Sequence, residues 1–387
     1  MKKSISDNQL PLSIFSLLDQ LDKEGITGVQ RYNKVKKYIQ FKARETATPV
    51  CGTFELTPFC NLSCKMCYVH LEKEQLKDRS LLSVNTWKSF IDQAIDAGLM
   101  YAAVTGGECL TYPGFKELYM YFRSRGIETT ILSNGVLMTE DMVSFLAVNP
   151  PAGVQITLYG CDDDEYERVT GHRSFQKVMD GINRVKAANI PLTIAITPNK
   201  FMRKGKELIH LLYDLGLPFS INSGLKMPRE ETGRGLLDAS LDTYVELYRE
   251  NNRLGGGLPW ESVPDEDLPD PGPTSEILKP GQKCGVRCAA GRSSFFITWD
   301  GKMKPCNSFP GIEEEILTIG FEKAWLRINN AIQRIMLPAE CHDCQYAEAC
   351  KHCIIDHLYS EDPSHANTMV CDYVRRFVKE GIIKLKE

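Results

Sequence analysis

The sequence predicts an α/β protein: a parallel sheet built from six β/α units between residues 51 and 223, followed by a small cysteine-rich domain. Three observations carry this. Short β-rich runs alternate with amphipathic stretches at helical spacing, the rhythm of parallel strands joined by crossover helices. That rhythm stops after Asn222, and a Gly/Pro-rich connector follows, "RLGGGLPWESVPDEDLPDPGPTSEILKPG" (253–281), which no regular element accommodates. Beyond it eight cysteines fall within roughly a hundred residues poor in apolar runs, a segment that bound metals would hold together.

Taken in order, residues 1–50 form an N-terminal extension whose alternating apolar and charged positions predict one or two helices, "VQRYNKVKKYIQFKA" (29–43) being the more amphipathic. It serves either as a partner-binding arm or as packing. The strands of the 51–223 region are predicted at "TFELT" (53–57), "MYAAVT" (100–105), "ETTILS" (128–133), "GVQITLYG" (153–160), "LTIAIT" (192–197) and "PFSIN" (218–222). Between them, Val84 to Ala97, Phe115 to Arg125, Glu140 to Leu146, Phe175 to Ala188 and Lys204 to Leu215 read as helices. Residues 224–283 hold one more helix, "LDTYVELYREN" (241–251), and the connector; residues 284–387 are the cysteine-rich domain. The sheet is either a partial barrel or doubly wound. Both place their sites at the C-terminal strand ends, where "CNLSC", "TGGEC", "SNG" and "LYGC" fall.

Composition excludes several functions. A net charge of -4, with 43% hydrophobic and 25% charged residues, gives no reason to expect a nucleic-acid or lipid partner. No stretch approaches the roughly 20 apolar residues of a membrane span, and the N-terminus lacks a signal-peptide pattern, so a cytoplasmic location is expected. Fourteen cysteines in a reducing compartment suit metal ligation better than a disulfide framework.

"CNLSCKMCY" places Cys60, Cys64 and Cys67 on one loop after the first strand. Sites built wholly from protein usually take four ligands, so three thiolates can hold three corners of a 4Fe-4S cubane and leave one iron open to a small molecule. C-x3-C-x2-C in this strand context resembles the radical SAM superfamily. The resemblance implies a partial (β/α)6 TIM-like barrel and a cluster whose open iron is chelated by S-adenosylmethionine. It further implies a 5'-deoxyadenosyl radical that abstracts a substrate hydrogen, and an electron donor such as flavodoxin or ferredoxin.

The segments that follow match the same family. Gly106, Gly107 and Glu108 correspond to its GGE segment, which approaches the methionyl amine: glycine admits the backbone and a carboxylate suits an ammonium. Ser133, Asn134 and Thr157 are implied contacts to the ribose and carboxylate, and Arg168 is an implied carboxylate partner through its planar fork. The family's aromatic before the third cysteine is Met66 here, with Tyr68 just after it, so Tyr68 is the candidate cover for the adenine. Its usual proline after GGE is Cys109, placed to donate a hydrogen atom or bind substrate, or else a small buried hydrophobe.

In the last hundred residues, C-x12-G-x4-C runs from Cys288 through Gly301 to Cys306, and C-x2-C-x5-C-x2-C from Cys341 to Cys353, with Cys371 closing the set. Paired C-x2-C is a zinc spacing as well. The pattern resembles the SPASM extension of radical SAM enzymes, which holds two auxiliary 4Fe-4S clusters. By that resemblance Cys284, Cys288, Cys306 and Cys353 would ligate the nearer cluster, and Cys341, Cys344, Cys350 and Cys371 the farther one. Fully ligated auxiliary clusters suit outer-sphere electron transfer during a two-electron oxidation. The resemblance therefore implies a peptide-modifying oxidoreductase acting on a ribosomally made precursor peptide, through a thioether or other intramolecular cross-link. The alternatives are oxidation of a small molecule, or of a sulfatase Cys or Ser to formylglycine. The formylglycine branch has an aspartate base after the cysteine equivalent to Cys306, whereas this chain has Asn307, which cannot accept a proton at neutral pH.

Overall fold

Alternation of side chains along each predicted strand becomes one open sheet with two unlike faces. The computed structural model describes residues 14–69, 71, 73–76, 79–222, 224–225, 238–256, 285–347, 349–350, 353–360, 362–383 and 385. The first thirteen residues, nearly all of the connector and Cys284 lie outside the described residues. Among those described, the strands are β1 (Cys51–Glu55), β2 (Tyr101–Thr105), β3 (Glu128–Ser133), β4 (Gly153–Leu158), β5 (Leu192–Ile196), β6 (Phe219–Ile221), β7 (Ser294–Ile297), β8 (Lys302–Lys304) and β9 (Glu314–Glu315). Their order in the sheet is β6-β5-β4-β3-β2-β1-β7-β8-β9. Strands β1 to β7 run parallel; β8 and β9 are antiparallel additions.

The described helices are α1 (Ile14–Lys23), α2 (Gly28–Glu45), α3 (Val84–Asp96), α4 (Phe115–Ser124), α5 (Glu140–Val148), α6 (Asp163–Thr170), α7 (Phe175–Ala187), α8 (Gly205–Leu215), α9 (Leu241–Arg253), α10 (Ile316–Ile319), α11 (Phe321–Gln333), α12 (Ile354–Leu358) and α13 (Thr368–Lys379). Phe54, Val104, Ile131, Ile156 and Ile194, from successive strands, are buried on the helix-covered face. Their neighbours Thr53, Ala103, Thr130, Gln155 and Thr193 are half-buried on the other face, small or polar as a barrel interior requires.

Helix α2 lies across the N-terminal strand ends. The Lys36 ammonium pairs with Glu128 at 2.6 Å and sits over the Tyr101 ring, 4.3 Å from its centroid, while the Gln40 side-chain amide donates to the Cys51 sulfur. The N-terminal extension thus packs at the opposite end from "CNLSC" and "TGGEC".

The cysteine-rich region has an apolar anchor that its sparse apolar runs do not suggest. Strand β7 pairs with β1 as a seventh parallel strand, so the barrel sheet continues into the last hundred residues. Phe295 meets Phe54, Phe321 and Trp325 edge-on at 5.8, 4.9 and 6.4 Å. Gly52 is required here, since a Cβ would stand 2.4 Å from the Phe295 ring. Helix α11 packs on α3, and the Trp325 indole donates to the Ala47 carbonyl at 2.7 Å.

Because Phe295 belongs to both parts, Phe295→Ala should cost about 3–5 kcal/mol through cavity formation. Urea unfolding should remain one transition with a lowered midpoint. Two separate transitions, with that of the barrel unmoved, would show instead that the C-terminal region folds independently.

Candidate functional site

The four predicted segments meet at the C-terminal ends of β1 to β4. The chain leaving β1 runs through Thr57, Pro58 and Phe59 to Cys60, and the segment after β2 lies directly against it: Gly107 N–H donates to the Thr57 carbonyl at 2.7 Å and Glu108 N–H to that of Phe59 at 2.8 Å. A Cβ on Gly107 would stand 2.5 Å from the Phe59 carbonyl oxygen, and one on Gly106 2.8 Å from that of Thr57. The glycines therefore satisfy a demand of the protein's own backbone, the approach of the GGE segment to the cysteine loop.

Glu108 is fully buried and its carboxylate is the hub of this end of the sheet. Ser133 Oγ donates to both oxygens at 3.0 and 3.1 Å, Asn134 N–H to Oε2 at 2.7 Å and Leu110 N–H to Oε1 at 3.1 Å. Burial raises its proton affinity, and these four bonds offset that only in part. Asn134, held by Glu108 through its backbone, turns its side-chain amide to the cysteine loop, donating to Asn61 Oδ1 at 2.7 Å and to the Cys60 sulfur at 3.5 Å. A continuous chain of hydrogen bonds thus joins the ends of β2 and β3 to Cys60.

The loop itself is pinned by α6. Ser63 and Lys65 N–H donate to the Thr170 and Val169 carbonyls, both at 3.0 Å, and Leu62, Cys64 and Met66 form an apolar cluster with Val169. The sequence reading gave no helix at Asp163–Thr170. It exists through its caps: the Asp162 carboxylate accepts Glu165 N–H at 2.8 Å, and Gly171 closes it at φ 76°. Cys60, Cys64 and Cys67 lie close enough to repel one another as thiolates. Burial first, then Glu108 and Cys67, push Cys60 up to about 11; burial, then Cys67 and Cys60, push Cys64 well above the ordinary thiol range. Tyr159, directly after β4, lies among these three sulfurs, which add to the burial that raises the proton affinity of its own hydroxyl. The segment "LYGC" marks this strand end in the sequence, and the signal that singles out Tyr159 within it is an aromatic with a polar tip at a site-bearing strand end.

The other predicted contacts are dispersed. Ser133 is occupied by Glu108 and by Gly135 N–H. Thr157 is half-buried on the interior face, in register with Ala195. Arg168 pairs at 2.8 Å with the fully buried Glu165 of the same helix, and it is Glu165, accepting Arg203 N–H, that ties α6 to the segment after β5. Met66 is buried under the loop, and Tyr68 lines a cavity facing the β7–β8 turn. Cys109 is fully buried, donates to the Leu132 carbonyl at 3.3 Å, and is raised by burial and by Glu108, a placement in keeping with the small buried hydrophobe that is the other reading of this position.

In the C-terminal region two thiol groups form. Cys341, Cys344, Cys350 and Cys371 line one cavity, closed on one side by Arg287, which donates to the Cys350 carbonyl at 3.2 Å. The burial that raises Cys341 is reinforced by the other three sulfurs. Cys306, pushed up to about 11 by burial and then by Cys288 and Cys353, marks the second group. Cys353 therefore lies with Cys288 and Cys306 and not with its sequence neighbour Cys350, a grouping that spacing alone does not give. Among the described residues no three such side chains already stand at metal-bonding spacing. The fit rests on donor chemistry: grouped thiols that raise one another's proton affinity are stabilised as thiolates by a multiply charged iron-sulfur group.

Three comparisons bear on this arrangement. Residues 54–212 match the model of the radical SAM superfamily. The chain is 24% identical over 305 residues to the sporulation killing factor maturation protein SkfB of Bacillus subtilis, covering 77% of this chain and 68% of that protein. It is 22% identical over 323 residues to an AdoMet-dependent heme synthase of Methanosarcina barkeri, covering 80% and 92%. Streptococcus suis SuiB, crystallised with its precursor peptide SuiA, superposes with a TM-score of 0.63 at 17% identity over 92% of this chain and 88% of that one, a likeness of fold.

Glu108→Gln tests the hub. Both carboxylate oxygens accept a backbone N–H, so an amide NH2 at either position faces a donor. The variant should lose about 1–3 kcal/mol in urea unfolding at pH 7. The buried carboxyl also has a pH signature. Its raised folded pKa makes ionisation a cost to stability, absent below the ordinary carboxyl range and growing as pH rises toward the folded value. The variant's deficit should therefore narrow with rising pH, and a variant as stable as the parent at every pH would contradict the assignment.

Proposed function

We propose, from the premise that this chain is a radical SAM superfamily enzyme with a SPASM-type C-terminal region, that it oxidatively modifies a ribosomally made peptide by forming an intramolecular cross-link. In this reading Cys60, Cys64 and Cys67 hold the 4Fe-4S cluster that binds S-adenosylmethionine. Cys288, Cys306 and Cys353, with Cys284, hold one auxiliary cluster, and Cys341, Cys344, Cys350 and Cys371 hold the other. When bound, these groups supply reductive cleavage of S-adenosylmethionine, abstraction of a substrate hydrogen atom, and an acceptor for the second electron of a net oxidation.

The chain's own residues position this chemistry. Glu108 and Asn134 fix the loop that carries Cys60, and the Asn134 amide directs a hydrogen bond at the Cys60 sulfur, a means of tuning cluster potential. Glycines at 106 and 107 keep the GGE segment flat against that loop. The observation that carries the oxidative reading is the β1–β7 pairing: the strand leading to Cys60 is hydrogen-bonded to the strand between Cys288 and Cys306, so both thiol groups are built on one sheet. Similarity to the SkfB maturation protein favours a peptide over a small molecule, and similarity to the heme synthase keeps small-molecule oxidation as the second reading. Against formylglycine formation, Asn307 accepts a hydrogen bond from the Ser308 hydroxyl and offers no carboxylate base.

Anaerobically reconstituted protein should bind about twelve irons, three cubanes' worth, and Cys60, Cys64 and Cys67 replaced together by Ala should remove about four of them and abolish S-adenosylmethionine cleavage. Stoichiometric zinc, with no iron lost from the triple variant, would sink the reading. Cys371→Ala should leave cleavage intact while the oxidised peptide falls. Equal loss of both activities would make the C-terminal region a structural support. Product mass spectrometry decides the bond: loss of two hydrogens with no free thiol marks a thioether, whereas a hydrazide-reactive aldehyde marks formylglycine and overturns the cross-link.

A further inference from the structure

The cavity that gathers Cys341, Cys344, Cys350 and Cys371 is walled largely by aliphatic side chains, among them Val370 and Val374 on either side of Cys371. Its two cations, Arg287 and Arg375, donate elsewhere: Arg287 to the Ala347 and Cys350 carbonyls, and Arg375 to Asp372 at 3.2 Å. His357, on α12, lines the same cavity and is only 5% exposed.

The setting of this ring is fixed by the residue that starts α13. Asn367 N–H donates to His357 Nδ1 at 3.2 Å, and a backbone N–H can only donate, so Nδ1 keeps its lone pair. The asparagine is itself locked. Its side-chain amide donates to the Asp356 carbonyl at 2.7 Å, and its Oδ1 caps α13 by accepting Met369 and Val370 N–H. Cys371 N–H closes on the Asn367 carbonyl at 3.0 Å, so His357 is braced against the helical turn that carries one cysteine of the group. Burial lowers the proton affinity of the ring, against Asp356 and the His365 backbone, in keeping with a neutral imidazole. A neutral ring whose Nδ1 accepts carries its one proton on Nε2. A buried N–H needs an acceptor, and in a wall whose cations are donors only, the sulfurs supply it.

We propose that His357 sets the reduction potential of the farther auxiliary cluster by donating from Nε2 to one of its sulfurs. The inference rests on the cluster reading of these four cysteines and deepens it. Reduction adds negative charge to the group, so a donor aimed at sulfur stabilises the reduced form more than the oxidised one and raises the potential. In the proposed oxidation, that favours this cluster as acceptor of the second electron.

The test reads potential and hyperfine coupling rather than turnover. Protein with Cys60, Cys64 and Cys67 replaced by Ala keeps the two auxiliary clusters, and the EPR signal of the farther one is that lost on adding Cys371→Ala. In this background His357→Asn keeps an acceptor at the place of Nδ1 for Asn367 and removes the donor, whereas His357→Gln puts an amide N–H at the place of Nε2. In an EPR-monitored redox titration His357→Asn should shift the farther cluster about tenfold toward its oxidised form, about 59 mV for one electron, with the nearer cluster unmoved. His357→Gln should recover most of that shift. With 15N-histidine, pulsed EPR of the protein with His357 intact should show a weak 15N coupling on the farther signal that His357→Gln removes. An unmoved potential in His357→Asn, equal shifts in both variants, or no 15N coupling would overturn the proposal. Should His357→Asn lose about four irons, the 15N coupling with His357 intact still decides. Failure of the cluster reading looks different, because protein with His357 intact would then hold no iron at these four cysteines.

Discussion

A single buried carboxylate organises the business end of this sheet. Glu108 lies beneath the mouth, out of water, where an ionised group is tolerated only with several donors aimed at it. Those donors come from the segment after β2 and from the end of β3, and one of them, Asn134, passes the constraint on to Cys60. Removing the carboxylate would free three otherwise separate strand-end segments at once. That burial still raises the proton affinity of Glu108 means the network costs stability to keep a charge where a hydrophobe would pack. Such a cost is characteristic of a site whose geometry matters more than its stability.

The second constraint is the continuity of the sheet across the chain. A strand from the cysteine-rich region inserted beside β1 ties two groups of thiols to one rigid frame, sealed by Phe295 against Phe54 and α11. A frame of hydrogen-bonded strands holds the two groups at a fixed separation. The N-terminal helices, docked on the far strand ends through Lys36 and Glu128, add support at the end remote from the cysteine loop.

Much of this was legible in the sequence because it depends on local pattern. Period-two alternation located β1 to β6, with β3 predicted at its observed bounds, and the helices at 84, 115, 140, 175 and 205 began within one residue of their predicted starts. The spacing of Cys60, Cys64 and Cys67 pointed to a shared metal group because nearby thiols on one loop have few other uses. What escaped was non-local. Helix α6 has only two turns, and its stability comes from Asp162, Gly171 and its contact with the cysteine loop rather than from an apolar stripe. Strand β7 is four residues whose partner lies more than two hundred positions earlier. Cys109 sits in a motif that suggested chemistry, and its complete burial is a tertiary feature that the motif does not give. The glycines at 106 and 107 are read from sequence as making room for a ligand; the structure adds that they make room for the protein's own backbone at Thr57 and Phe59.

The central claim is that Cys60, Cys64 and Cys67 present an iron-sulfur cluster with one iron open to the amino and carboxylate groups of S-adenosylmethionine. Electron-nuclear double resonance of the dithionite-reduced protein with 15N-amino-labelled S-adenosylmethionine tests it directly. The account predicts a 15N hyperfine doublet on one cluster that is replaced by a quadrupole-split 14N pattern with the unlabelled cofactor. A cluster signal unchanged by the cofactor, with no coupling to the labelled amine, would contradict it.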